Sequence, residues 1–330
     1  MSTFIIAEAG SNHDGNYEQA IDLINIAKES GADAVKFQTA KSENLYAIDT
    51  PSIAGYDDVR KLIKNIELPR EWQYDLKKYC DSIGIEFMST PFDEEAVEQL
   101  VDIGVRRFKI SGFECTDPRF VKYVASTKLP LIISLGIGTH SSTMHTIVDY
   151  VRDVNPNPDI TFLHCNNAYP TPHKDINLGQ MTEMMINGFN IGLSDHTEGI
   201  LTPPVAVALG AKVIEKHYTI DRKLSGPDHP FAIEPNELND MIKNIRLVET
   251  MMGKKDTQYT DSEMKFSTAG RSVVSKIDLK KGDVLTKDNI TTMRPLLKDS
   301  IPALEYENVI GKTMTKDLLA FHTLNKDFVK

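Results

Sequence analysis

FIIAEAGSNHDG, residues 4–15, is the stretch on which the fold turns. A short apolar run carrying one Glu is followed by a polar loop, as where a buried parallel strand ends. In a doubly wound dinucleotide fold the first strand runs into Gly-x-Gly-x-x-Gly, and AEAGSNHDG does not have that spacing. Seven further runs rich in Ile, Val and Phe follow, at 34–39, 86–91, 107–112, 131–136, 159–165, 190–196 and 213–219. Amphipathic stretches lie between them, among them 17–30, 69–83, 94–103, 118–126, 141–154 and 203–209, and 235–252 closes the series. Eight strand-helix units predict an α/β protein of the (β/α)8 TIM-barrel class. A barrel takes roughly 250 residues, so a 330-residue chain has room for a small second domain.

The composition changes after Met252, where GKKDTQYTDSEMKFSTAG is polar and without periodicity. The expected organisation is a catalytic barrel over 1–252, a linker over 253–265 and a small β-rich domain over 266–330, with β-like pieces at 271–275 and 291–294. Hydrophobic residues make up 41% of the chain, charged residues 25%, and the net charge is −10. That acidic balance argues against nucleic acid as a partner, so an anionic ligand would have to meet locally placed cations. The N-terminus lacks a basic leader and no apolar run is long enough to span a membrane, which reads as cytoplasmic. Cys80, Cys115 and Cys165 are odd in number and set in apolar contexts, which fits reduced buried thiols.

Barrel sites form at the C-terminal strand ends, and here those ends are polar. They carry Glu8, Lys36 and Gln38, Ser89 and Thr90, Lys109, Ser111 and Glu114, Ser134, His164 through Tyr169, Ser194 to His196, and Glu215 to His217. A buried polar group without a partner costs about 1–3 kcal/mol, so this concentration suits a ligand-filled mouth better than packing. His196 and His217 end neighbouring strands, where two imidazoles can share one divalent ion and leave positions open for substrate and water. Core histidines satisfied by Asp195 or Glu215 are the structural alternative. Lys36 and Lys109 lie in apolar strands and suit a carboxylate plus a phosphate; pairing with Glu8 or Glu114 is the structural alternative. A Schiff-base lysine, Lys109 or Lys216, is a third reading.

IIAEAGSNHDG, VKFQT, STPFD, FKISGFE, LHCNNAYPTP, GLSDHT, IEKHYT and GPDH, in this order, resemble the N-acetylneuraminate (sialic acid) synthase family and its legionaminic and pseudaminic acid relatives. AGRSVV, DLKKGDVL, MRP and IGK in the tail resemble that family's antifreeze-like (SAF) domain. The resemblance implies a metal-dependent condensation of phosphoenolpyruvate with an N-acylated hexosamine, N-acetylmannosamine or a 2,4-diacetamido-trideoxy analogue, with release of phosphate. It implies that Lys36, Thr90, Lys109, Ser134, Asn167 and Ser194 hold phosphoenolpyruvate, and that His196 and His217 bind Mn2+ or Mg2+. Gln38, Glu114, Tyr169 and Asp228 would face the open-chain sugar, with Glu8 beside the water and carbonyl. It further implies a domain-swapped homodimer in which Arg271 reaches the partner's barrel.

Two positions depart from the family pattern. Gly112 stands where relatives commonly carry a Ser, with Ser111 just before it, and DLLAFHTLNKDFVK lacks the glycine expected in the last turn. The alternatives are a phosphoenolpyruvate-dependent synthase for a phosphorylated aldose and a non-catalytic carbohydrate-binding protein. The first needs a second phosphate site, yet Arg106 and Arg107 precede the fourth strand, at the wrong end of the barrel.

Overall fold

The computed structural model describes residues 2–139, 141–253 and 260–330. The chain divides into two compact units, Met1–Gly253 and Lys254–Lys330. The first holds eight parallel strands: β1 (Phe4–Gly10), β2 (Ala34–Thr39), β3 (Glu86–Pro91), β4 (Phe108–Ile110), β5 (Leu131–Leu135), β6 (Ile160–Cys165), β7 (Asn190–Asp195) and β8 (Val213–His217). Their order is β3-β2-β1-β8-β7-β6-β5-β4, and β3 and β4 close the ring by packing rather than by a ladder.

Successive strand residues point to opposite faces, and the alternation sorts the core into two layers. Ile6, Ala34, Met88, Ile132, Leu163 and Val213 form one cluster, the apolar plug inside the barrel. Their neighbours Ile5, Val35, Phe37, Phe87, Phe108, Ile133, Phe162 and Ile214 belong to a larger cluster under the helices. Each such aliphatic or aromatic side chain contributes about 1.5–3 kcal/mol by leaving water.

The helices begin where side chains can cap them. Asn16 accepts from Glu18 N and Gln19 N to start Tyr17–Glu29, and Asp117 with Pro118 starts Pro118–Ser126. In the first unit three helices escape the sequence reading: Ser42–Leu45, Val59–Ile66 and Gly179–Ile186. The first is a single, mostly polar turn, the second is only two turns long although Val59, Leu62, Ile63 and Ile66 keep helical spacing, and the third opens on glycine without a side-chain cap. The stretch 69–83 begins as a 3-10 turn over Arg70–Trp72 before the helix Gln73–Ile83. β4 is shorter than expected because Ser111 Oγ accepts from Phe113 N at 3.1 Å and turns the chain away.

In the second unit β9 (Ser272–Ser275) pairs antiparallel with β10 (Ile290–Met293). Val273, Leu279, Leu285, Ile290, Ile301, Val309, Met314 and Leu324 make its own core. Of the expected linker, residues 254–259 lie outside the described residues, and Thr260 caps a short helix, Asp261–Met264, instead of continuing as coil. The last turn is made without glycine: Phe321 itself takes φ 60°, which costs roughly 1–2 kcal/mol for a residue with a Cβ. Among the described residues no helix is long and apolar enough to cross a membrane, and the three cysteines are buried and unpaired.

Candidate active site

The inward alternation continues above the apolar plug, but with charge. Glu8, Lys36, Gln38, Thr90, Lys109, Ser134, Ser194, Glu215 and His217 all line one pocket, together with His196, which directly follows β7. Ser111, Asn167 and Tyr169 join them from the loops, and the side chains leave a narrow cavity of about 50 Å³.

Two lysines and two glutamates form its floor, each 5% exposed or less. Lys36 Nζ lies 2.7 Å from Glu8 Oε2 and 3.7 Å from Glu215 Oε2, and it donates to Thr90 Oγ1 at 2.8 Å. Lys109 Nζ is 3.5 Å from Glu215 Oε1, while Ser194 Oγ donates to that same oxygen at 3.0 Å. Gln38 Nε2 donates to Glu8 Oε1 at 3.0 Å. Burial pushes the Glu8 carboxyl up to about 7, with Lys36 opposing. Burial acts on Glu215 in the same sense, but Lys109, Lys36 and His217 outweigh it and hold that carboxyl down at about 2.

The shortest contact of Lys36 is to Glu8, yet Glu215 has two ammonium neighbours and a hydroxyl. Glu215 is therefore the carboxylate that keeps its charge and Glu8 the one that takes a proton near neutrality. Burial works against the Lys36 charge, and Glu215 and Glu8 more than restore it. Ser134 Oγ, at the same depth, has no hydrogen-bond partner. Two ammonium groups, one firm carboxylate and an orphan hydroxyl make a floor that an anion would complete.

The imidazoles stand above it with ring centroids 5.4 Å apart. His196 Nδ1 lies 2.7 Å from the carbonyl of Asn166, which places its proton there and leaves the Nε2 lone pair free. His217 Nδ1 is buried without a hydrogen-bond partner, 3.8 Å from Asp228 Oδ2. Burial lowers both rings, His196 to about 4 and His217 to about 3, so both are neutral bases at pH 7. Neutral rings and an uncapped nitrogen fit a divalent ion. Among the described residues no group of three or more His, Cys, Asp or Glu is placed to hold one, so the two rings would leave most of its coordination sphere to substrate and water.

Loops complete the mouth. The Tyr169 ring lies against His196, centroids 4.1 Å apart, and Asp228 accepts from Ser11 Oγ at 2.9 Å. Asn167 Oδ1 accepts from Ile137 N at 2.8 Å, and a Cβ on Gly136 would overlap that oxygen. A Cβ on Gly112 would come within 3.0 Å of Gly136 Cα, so a serine does not fit there unless this wall moves. Ser111 instead turns its hydroxyl onto Glu114. Glu114 does not line the pocket with the others; it borders a neighbouring depression that shares Phe92 and Phe113. Arg271 is exposed in the second unit, its Nη1 3.5 Å from the carbonyl of Thr292.

The structure corrects the strand-end inventory at β7 and β8. Asp195 and Lys216 point to the outer face and pair with each other at 2.7 Å, so Asp195 does not satisfy a histidine and Lys216 is no Schiff-base candidate. Glu215, given no substrate or metal role in the sequence reading, is the hub of the floor; alternation in VIEKH, which puts residues 213, 215 and 217 on one face, was the signal for it. Lys109 pairs with Glu215 rather than with Glu114. Arg107 sits at the opposite end, with Nε 2.8 Å from Glu86 Oε1 at the start of β3.

The NeuB family model matches residues 23–257, and the SAF domain model matches 270–320. The chain is 38% identical to the N,N'-diacetyllegionaminic acid synthase of Legionella pneumophila, over 98% of this chain and 94% of that one. It is 33% identical to the human N-acetylneuraminate-9-phosphate synthase, over 99% and 92%. Among solved structures it resembles the N-acetylneuraminic acid synthetase of Leptospira borgpetersenii serovar Hardjo-bovis, TM-score 0.74 at 32% identity, covering 80% of this chain and 90% of that one.

Proposed function

The chain belongs to the NeuB family, and from that premise we propose that it is a nonulosonic (sialic-type) acid synthase, condensing phosphoenolpyruvate with an N-acylated hexosamine. The observation that carries this reading is the floor cluster of Lys36, Lys109, Glu215 and Glu8 beside the partnerless Ser134 hydroxyl. In the reaction the methylene carbon of phosphoenolpyruvate bonds to the sugar's aldehyde carbon and the aldehyde oxygen takes a proton. Water adds to carbon 2, and phosphate leaves from it.

Lys36 and Lys109, with the hydroxyls of Thr90, Ser134 and Ser194 and the amide of Asn167, hold the phosphate and carboxylate and offset the charge that builds as phosphate departs. Glu8 accepts the proton of the incoming water, a role that suits a carboxyl poised near neutrality. Gln38, Tyr169 and Asp228 face the sugar, with Glu114 at the edge of its path. His196 and His217 would hold a divalent ion, Mn2+ or Mg2+, whose chemistry when bound is to polarise the aldehyde oxygen.

The test is phosphate release from phosphoenolpyruvate with N-acetylmannosamine and with 2,4-diacetamido-trideoxy hexoses, each with and without a phosphate on the sugar. Release with an unphosphorylated N-acyl sugar, lost in excess chelator and in His196→Ala and His217→Ala, is the expected result. Release with only a phosphorylated aldose would move the protein to the sister chemistry. A lysine trapped by borohydride, with turnover surviving chelator, would overturn the mechanism in favour of a Schiff base.

The resemblance also supports a homodimer in which each barrel is served by Arg271 of the neighbouring chain. Mixing Arg271→Ala with Lys109→Ala subunits is then expected to restore part of the activity, because a heterodimer contains one intact composite site. A mixture that stays inactive after demonstrated subunit exchange removes the swap.

A further inference from the structure

Next to the two imidazoles, strand alternation turns a second pair of side chains outward. Asp195 and Lys216 are register partners on β7 and β8, each 1% exposed. Lys216 Nζ lies 2.7 Å from Asp195 Oδ2 and also donates to the carbonyl of Thr197. Asp195 accepts from Thr197 N at 3.0 Å and from Thr197 Oγ1 at 3.1 Å. Thr197 Oγ1 is in turn 2.8 Å from Thr202 Oγ1, where the helix Thr202–Ala208 begins.

We propose that this buried pair is a positioning device: Asp195 and Lys216, on the outer face of the sheet, fix the separation of His196 and His217 on the inner face and thereby set the metal affinity of the site. The inference rests on the reading of those histidines as ligands. An ion pair taken out of water is dearer than apolar packing in the same place, so cohesion alone does not account for one here. What it supplies is direction. Residues 195 and 197 are both tied to the ammonium group on β8, so His196 is clamped on either side to the residue that precedes His217. On the inner face no hydrogen bond joins the rings: His196 Nδ1 engages Asn166, and His217 Nδ1 has no hydrogen-bond partner, with Asp228 Oδ2 3.8 Å away. The relative placement of the two strand ends is thus held from behind, as outer-shell partners hold metal ligands elsewhere.

Mn2+ titrated into the metal-free full-length protein, with the free ion read by electron paramagnetic resonance, tests this. Lys216→Met is expected to weaken binding by roughly 10- to 100-fold, the usual effect of losing an outer-shell partner. Asp195→Asn with Lys216→Met removes both charges, keeps an acceptor for Thr197 N and decides the matter if the single variant does not fold. Phosphoenolpyruvate binding, measured apart from the metal, should stay at the wild-type value. Mn2+ affinity unchanged in the folded variants, with at most a lower melting temperature, would make the pair structural and overturn the inference. His217→Ala separates the two readings. If it too binds like the wild type, the histidine site itself is wrong; if it has lost binding while the pair variants have not, only the pair's role is.

Discussion

Lys109→Ala and Lys36→Ala will each raise the apparent constant for phosphoenolpyruvate by roughly 30- to 1000-fold, while that for the sugar stays within a factor of about three. The magnitude follows from losing one member of a buried, hydrogen-bonded charge set, about 2–4 kcal/mol in binding. Lys109 has Glu215 at 3.5 Å and Lys36 has Glu8 at 2.7 Å, so each truncation also leaves a carboxylate short of its counter-charge. The damage then reaches the empty protein: breaking a buried pair costs about 3–5 kcal/mol, and the melting temperature should fall before any substrate is added. Lys36→Ala is the harsher, because that ammonium touches both carboxylates. Equal effects on the two substrates would mean that the lysines hold neither phosphate nor carboxylate of phosphoenolpyruvate.

The barrel was legible because a parallel strand buried on both faces writes a continuous apolar run, and eight of them stand out from FIIAEAG to VIEKH. Lys36, Lys109 and His217 were legible because a charge or an imidazole interrupts such a run. What the runs hide is which way each side chain points once two polar residues are adjacent. Ser194, Asp195 and His196 look equivalent on paper, and so do Glu215, Lys216 and His217; the ladder pairing Ser194 with Glu215 and Asp195 with Lys216 sends the first pair to the pocket and the second behind it. A further part was illegible for a different reason. The glycines at 112 and 136 matter through a backbone approach between two strand ends that are distant in sequence, and no local pattern announces it.

Glu8→Gln is expected to lower kcat by about 10²- to 10⁴-fold, the usual contribution of a positioned base, with the apparent constant for phosphoenolpyruvate changed far less than in Lys36→Ala. Glutamine keeps the shape and can still meet Gln38, so the loss isolates the proton-accepting oxygen. The same variant also carries a signature in the metal-free protein that owes nothing to turnover. In the unfolded chain the Glu8 carboxyl titrates at 4.5; in the fold, burial carries it to about 7. The folded state therefore holds the extra proton between those values, so the stability tied to that proton is complete below about pH 4.5 and is lost as pH rises through about 7. Glutamine cannot ionise and pays nothing over that window. Relative to the wild type, metal-free Glu8→Gln should gain melting temperature from pH 5 to about pH 7 and level off above it, while its turnover with metal is largely gone. A difference in melting temperature that is flat with pH would show that Glu8 is ionised throughout, paired to Lys36 as a fixed structural salt bridge, and the base would have to be sought elsewhere in the pocket.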